Sequence, residues 1–433
     1  MSRKLLIRGG RVICPASGHD AVADVLIEGG RIAGVGQGLA AAGAEVLSAA
    51  GLIVAPGFID IHVHLREPGF EHAETIETGS RAAAAGGFTT VCCMPNTSPV
   101  NDSATVTSYI AEKARRVAAV DVFPIGAITK GSQGEELAAI HSMVSAGAVA
   151  ISDDGRPVMN SRIVRRAMET AKALDVPLIQ HCEDLNLSAG GDMHECVDSV
   201  RLGIGGIPAA AEDVMVARDI VLAELTGARY HVAHISTKNS VAMVAFAKRQ
   251  GLPVTAEAAP HHIALHTGNM RPYDSNFKMK PPIRGCHDVE AVVGGITSGA
   301  VDCLATDHAP HPGDDKMQEF ERCPFGIIGF ETALGISLEV LVHSGKLSLN
   351  RLIALYTSEP ARVIGWKGEL ERGSLKPGTV GNVTVFHPDF PWTYDVSKSA
   401  SKSSNTPFNG RTFHGGPVVT VVRGEIVWRM PGY

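Results

Sequence analysis

Residues 58–64 read FIDIHVH, an apolar, branched run that closes on two histidines two positions apart. It has the length of a buried strand. With a period of two, His62 and His64 project to one side, flanked by outward Ile61 and Val63. Seven further runs of similar texture follow: FTTVCCM, VDVFPIGAI, AVAISD, VPLIQH, ARYHVAH, PVTAEAA and VDCLAT. Between them lie stretches such as ETIETGSRAAAAGG, EELAAIHSMVSAGA, SRIVRRAMETAKALD and NSVAMVAFAKRQG, whose apolar spacing suits helices ending at Gly or Asp. Eight βα units between residues 57 and 365 predict an α/β fold of the (β/α)8 TIM barrel type. The competing fold, a doubly wound open sheet, lacks its GxGxxG after the first strand.

The flanks have a different texture. KLLIRGGRVI and DVLIEGGRIAGV near the start are short β-rich runs turning at Gly-Gly, and GTVGNVTVFHP and PVVTVVRGEIVW near the end repeat the style. Residues 1–56 and 366–433 are therefore expected to build one small β-sandwich from both chain termini, with the barrel at 57–365.

The 433 residues are 45% hydrophobic and 19% charged, enough to bury a large core, and the net charge of -6 is mild. No basic stretch could track a phosphate backbone, so nucleic acid is not an expected partner. No apolar run has transmembrane length, and MSRKLLIRGG enters a strand-and-turn pattern without a leader, so no membrane partner and a cytoplasmic location are expected. The eight cysteines form no CxxC pair and read as buried free thiols in a reducing compartment.

In a barrel of this kind, reactive side chains gather at the C-terminal strand ends. In chain order those ends carry His62 and His64, Asn96, Asp154, His181, His234 and Asp307. One histidine there is ordinary, but six metal-type residues on five of eight strand ends are not. Asp307 lies on the last strand, directly beside the first in a closed barrel, and supplies a hard ligand to the His62 and His64 pair. His181 and His234 offer a second imidazole pair. Two cations so close need a bridging anion, and Asp154 is the available carboxylate. Asp-Asp-Gly after a strand is also ordinary turn chemistry. Ala148, Ala150 and Ser152 share the parity of Asp154, however, while Val149 and Ile151 share that of Asp153. Asp154 is therefore expected to point inward and Asp153 to keep the turn role. Imidazole and carboxylate without thiolate suit Zn2+, with two ions per subunit and the second site able to be partly filled. Paired cations activate water and polarise a carbonyl, which describes a hydrolase of amide-like bonds. Asp307 is the expected proton carrier.

PGFIDIHVHLREPG, MPNTSPVND, QHCED, HISTK, ATDHAPH and SNTPFNG, in this order, resemble the dihydroorotase family of the amidohydrolase superfamily over nearly the whole chain. The resemblance implies reversible cyclisation of N-carbamoyl-L-aspartate to dihydroorotate in pyrimidine synthesis. It further implies that Arg66, Asn96 and His311 hold the small-molecule substrate and that Phe325 and Gly326 meet it through their backbone. Arg66 could alternatively pair with Glu67 or Glu71. A homodimer and an association with another enzyme of the same pathway are also expected. Where related chains commonly show KMNPPLR this one has KMKPPIR, which makes Lys280 a candidate substrate contact in place of Asn. Many superfamily members bridge their metals with a carboxylated lysine. No lysine lies in AVAISDDGRPV, and Lys130 and Lys172 fall in a loop and a helix, so an encoded Asp154 bridge is expected. The loop GRPVMN after it could close over substrate. An allantoinase or dihydropyrimidinase would share the barrel and metals without needing Arg66, Asn96 and the Asp bridge. A partner subunit without activity would keep only the fold.

Overall fold

The computed structural model describes residues 4–40 and 42–433. Its barrel can be followed through its hydrogen bonds. Strand one (Phe58–Val63) pairs in parallel with strand two (Phe88–Cys93), and strand two with strand three (Asp121–Pro124). Strands five (Leu178–Gln180), six (Tyr230–Val232), seven (Val254–Ala258) and eight (Cys303–Leu304) form a second parallel run in that order. The fourth expected strand is reduced to the segment around Ile151, which bridges Gly126 on one side and Leu178 on the other. The ring closes where Val63 bridges His308 and the His64 N–H donates to the His308 carbonyl at 2.8 Å. Every pairing in the ring is parallel, as βα repetition requires.

Strand one departs from the simple alternation expected of it. Ile59 and Ile61 pack with Cys92, Ile125, Ala150, Ile179, Ala233 and Cys303 in one buried cluster, whereas Phe58 and Val63 join the larger cluster shared with the helices. Ile61 thus does not face outward beside Val63. The cause is a bulge: between Asp60 and Val63 strand one advances three residues while strand two advances two. One extra residue reverses the parity, so Ile61 fills the interior and His62 and His64 still reach the strand end.

The helices cover the ring at Ile76–Ala85, Ser161–Ala173 and Lys238–Arg249, close to the expected segments. The stretch beginning at Glu135 differs, because its helix spans only Ile140–Ser145. Thr129 bridges Leu137 and the Ala138 N–H donates to Ile128, so the first part of the apolar pattern is spent on a loop.

Strands from both ends of the chain form one eight-stranded sheet. Lys4–Cys14 lies between His19–Glu28 and Ile53–Pro56, and Ile53–Pro56 pairs with Val383–Thr393, followed by Thr412–Val422 and Glu425–Arg429. Gly29 and Gly30, both at positive φ, make the expected hairpin turn. Gly9-Gly10 does not turn. It is a bulge inside the 11-residue first strand, where a Cβ on Gly10 would sit 2.5 Å from Val54 and Gly9 N–H donates to Asp24 at 2.9 Å. No helix among the described residues is long and apolar enough to cross a membrane.

Candidate metal centre

The strand ends bring all six expected ligands together, buried. His62 Nε2 lies 3.2 Å from Asp154 Oδ1 and 3.7 Å from Asp307 Oδ1. His64 Nε2 is 3.2 Å from Asp307 Oδ1 and 3.4 Å from Asp154 Oδ2. On the far side, His234 Nε2 is 3.6 Å and His181 Nδ1 3.8 Å from Asp154 Oδ1, with 2.9 Å between the two rings' nitrogens. His62, His64 and Asp307 make one group able to hold a metal ion, and His62, Asp154 and His234 make another, each within 4.8 Å.

The electrostatics call for positive charge at this point. Burial works against a charge on His62, yet Asp154 and Glu257 raise its pKa well above the usual histidine value. Burial would likewise raise Asp154 and Asp307, but the histidines hold both below the usual carboxylate range. Protons or a metal ion can supply that charge. The donor set fits a metal, because His62 Nε2 and Asp154 Oδ1 are fully buried, close together, and make no hydrogen bond. Three site residues also hold the left-handed region without being glycine: Arg66 at φ 60°, His234 at φ 30° and Asp307 at φ 49°. Such conformations cost on the order of 1–3 kcal/mol each and gather where geometry matters.

A second layer of groups orients the imidazoles. Glu257, from strand seven, takes His62 Nδ1 at 2.6 Å and His231 Nε2 at 3.2 Å, and so leaves His62 Nε2 facing the cluster. Glu183 contacts His181 Nε2 at 3.0 Å, and Asn96 Oδ1 contacts His64 Nδ1 at 2.9 Å. Neither Glu257 nor Glu183 was singled out from sequence. A lone carboxylate within the small-residue strand PVTAEAA was the available signal for Glu257, whereas Glu183 in QHCED read only as part of a motif.

The expected substrate residues line one side of this cluster. Arg66 pairs with neither Glu67 nor Glu71. Its Nε donates to the Pro310 carbonyl at 3.1 Å, its Nη2 lies 3.1 Å from His311 Nε2, and burial pulls its pKa down to about 10. Glu67 is occupied by the Ile76 N–H, Tyr109 and Lys113, and Glu71 by the Gly69 N–H. His311 Nε2 lies 2.8 Å from the Phe325 carbonyl, and burial, followed by Arg66 and Lys316, holds the ring neutral at about 2. Gly326 sits at φ 133°, and a Cβ there would meet Ala309 at 2.8 Å and His311 at 3.1 Å. Asn405 of SNTPFNG, given no role from sequence, ties these parts together. It donates to the Ala309 and Gly326 carbonyls at 3.0 Å each and accepts the His311 N–H at 3.1 Å.

Lys280, the candidate substrate contact, has its ammonium 2.8 Å from Glu183, which links it to His181, and 4.6 Å from the centroid of the Phe325 ring. Asp153 makes the backbone turn to Arg156, but its carboxylate is buried and accepts from the Ile128 N–H at 2.8 Å, the Thr129 N–H at 3.2 Å and the Thr129 hydroxyl. The loop after it is anchored at buried Val158, whose carbonyl accepts from Arg218 at 2.9 Å, leaving Gly155 and Arg156 as its exposed tip. Lys130 pairs with Glu136, and Lys172 donates to the Thr226 carbonyl, both at the surface.

Fold and site together define a cyclic amidohydrolase, a (β/α)8 enzyme with a histidine and carboxylate metal cluster at the strand ends. Known proteins agree. The L-hydantoinase of Arthrobacter aurescens has a TM-score of 0.89 at 25% identity, covering 99% of this chain and 96% of its own, and the dihydropyrimidinase of Brevibacillus agri has 0.85 at 25%, covering 98% and 95%. The family model described as "Dihydro-orotase-like" matches residues 51–240. The dihydroorotase of Solibacter usitatus is 67% identical over 98% of both chains, and that of Citrifermentans bemidjiense is 51% identical over 98% of this chain and 99% of its own. The chain belongs to the dihydroorotase family.

Proposed function

We propose that this protein interconverts dihydroorotate and N-carbamoyl-L-aspartate in pyrimidine synthesis, with two zinc ions held by His62, His64, Asp154, His181, His234 and Asp307. The observation that carries the reading is the placement of Asp154, one oxygen toward His62, His181 and His234 and the other toward His64. That is the posture of a bridging carboxylate. Imidazole and carboxylate donors without thiolate favour zinc. When bound, the metal supplies an activated water and polarises the ring amide carbonyl.

The chain's own groups do the rest. Asp307, kept ionised beside His64, accepts the proton that water loses on attack and passes it to the departing ring nitrogen. The C–N bond breaks, nitrogen gains that proton, and carbon keeps the oxygen as a carboxylic acid whose remaining proton passes to solvent to leave the carboxylate. Arg66 presents a guanidinium fork suited to the substrate's free carboxylate, with the Asn96 amide as a neighbouring donor and the neutral His311 ring, its Nε2–H turned to the Phe325 carbonyl, beside them. On the same side Phe325 offers its N–H, while Gly326, its N–H held by the Lys278 carbonyl and its carbonyl by Lys316 and Asn405, shapes the backbone beside it.

Turnover assays of the purified protein with dihydroorotate, hydantoin and allantoin, alongside metal quantification, test the reading. Dihydroorotate hydrolysis with about two zinc ions per chain is expected. The likeness to hydantoinase structures supports a second reading, and hydantoin turnover without dihydroorotate turnover would decide for it. The same reading takes 1–56 with 366–433 as one β domain and 57–365 as the catalytic barrel, in a cytoplasmic homodimer able to associate with another pathway enzyme. Light scattering checks the dimer.

A further inference from the structure

Three lysines converge on residues 324–326. Lys278 and Lys280 place their ammonium groups 4.4 and 4.6 Å from the centroid of the Phe325 ring. Lys316 donates to the carbonyls on either side of Phe325, that of Pro324 at 2.9 Å and that of Gly326 at 3.1 Å, and to the Lys278 carbonyl at 3.3 Å. The same Lys278 carbonyl accepts the Gly326 N–H at 3.0 Å. The Lys278 ammonium in turn donates to the Phe320 and Glu321 carbonyls at 2.7 and 3.1 Å and pairs with Asp192 at 2.8 Å. Lys278 is 1% exposed and Lys316 5%. The loop from 312 to 326 is thus closed over two buried cations.

A buried ammonium is costly, and Lys316 meets carbonyl oxygens instead of a carboxylate. Burial pushes its pKa down to about 8, against opposing pulls from Cys323 and Asp274, and Lys278 adds to the depression. Packing alone does not call for a cation here, since an unbranched apolar side chain would fill the same volume without desolvating a charge. What such a chain could not do is grip two carbonyls that flank a single residue. Those carbonyls set the planes of the peptides on either side of Phe325 and Gly326, at a glycine held at φ 133°.

We propose that Lys316 is a positioning residue for substrate binding: by holding the Pro324 and Gly326 carbonyls it aims the backbone of Phe325 and Gly326 and, through the Phe325 carbonyl, the His311 ring. The inference rests on the reading that these groups face substrate.

Lys316→Met in the full-length protein removes the donors and keeps the length. The KM for dihydroorotate should rise about tenfold, with a much smaller change in kcat, as expected for lost uniform binding. Hydrogen exchange measured without substrate should speed up at residues 320–326 and stay unchanged at the strand ends carrying His62 and Asp154. Exchange unchanged in the loop would overturn the inference. So would a variant that loses kcat in proportion to its folded fraction, followed by thermal unfolding, with KM unmoved. Exchange needs no turnover, so the clamp is tested even if the wild type fails to hydrolyse dihydroorotate, which would sink the functional reading alone.

Discussion

Asp153 and Asp154 leave one strand end in different directions, and exchanging each for Asn separates their duties. Asp154→Asn should lower the metal content of the purified protein and abolish dihydroorotate turnover, because an amide is a poor bridge between cations. Asp153→Asn should retain metal and cost about 1–3 kcal/mol of unfolding free energy, the effect of setting a buried amide NH2 against the Thr129 hydroxyl in place of an acceptor oxygen. Calorimetry and metal analysis on both variants check this, and reversed effects would refute the assignment. The direction of Asp154 agrees with the parity of Ala150, which packs in the interior cluster, although Ala148 of the same parity packs with Ile151 in the larger one and Val149 lies against the interior. Parity misplaced Ile61, because a bulge is fixed by pairing with a neighbouring strand and leaves no trace in the run FIDIHVH. Lys280 shows a different limit. A long cation at a ligand position can reach several partners, and only the fold shows Glu183 at 2.8 Å. Lys280→Asn should loosen Glu183 and through it His181, weakening metal retention against a chelator. Identical metal retention would remove Lys280 from the centre.

At the scale of elements, strand seven brings to the site a residue that its own end does not advertise. Glu257 lies within Val254–Ala258, buried, and its carboxylate is drawn down to about 2 by His62 and His231 against the upward push of burial. Glu257→Gln keeps the shape and removes the charge that orders His62. We expect metal affinity to fall about 10- to 100-fold, read by competition with a chromogenic chelator, with the secondary structure unchanged by circular dichroism. Unaltered affinity would mean that packing alone orients the His62 ring. Strands and most helices were legible because period and length separate them, but the helix expected from Glu135 was shortened by tertiary contacts. The side chain of Asp153 fixes 128–129, and Thr129 in turn bridges Leu137, so residues with helical spacing are held extended.

For the whole molecule, removing metal should affect both activity and stability. Dialysis against a chelator should abolish turnover, and added zinc should restore it. The melting temperature should fall on dialysis, since a ligand at about a thousand times its Kd adds roughly 4 kcal/mol to the folded state. Loss of activity that zinc cannot restore would count against the mechanism. The architecture was legible as a count of βα units with two matching β-rich flanks, whereas the bonds that close the ring were not. Neither was the part played by Asn405, because contacts between distant segments are invisible in local pattern. Arg66, buried against the Pro310 carbonyl, could not be told from a surface ion pair by its neighbours in sequence.

The ring closes between its first and last strands, and the metal cluster straddles that seam: His64 and Asp307, 243 positions apart, stand side by side only once Val63 has met His308. During synthesis the four histidines and Asp154 therefore emerge before the carboxylate of Asp307 that completes them. A nascent chain stalled before strand eight lacks the group of His62, His64 and Asp307 and holds the residues of only one of the two ligand groups, His62, Asp154 and His234. Under the proposed two-metal reading, completing the centre becomes one of the last events of folding, and a fully loaded centre would certify that the chain has been translated through strand eight and the barrel has shut.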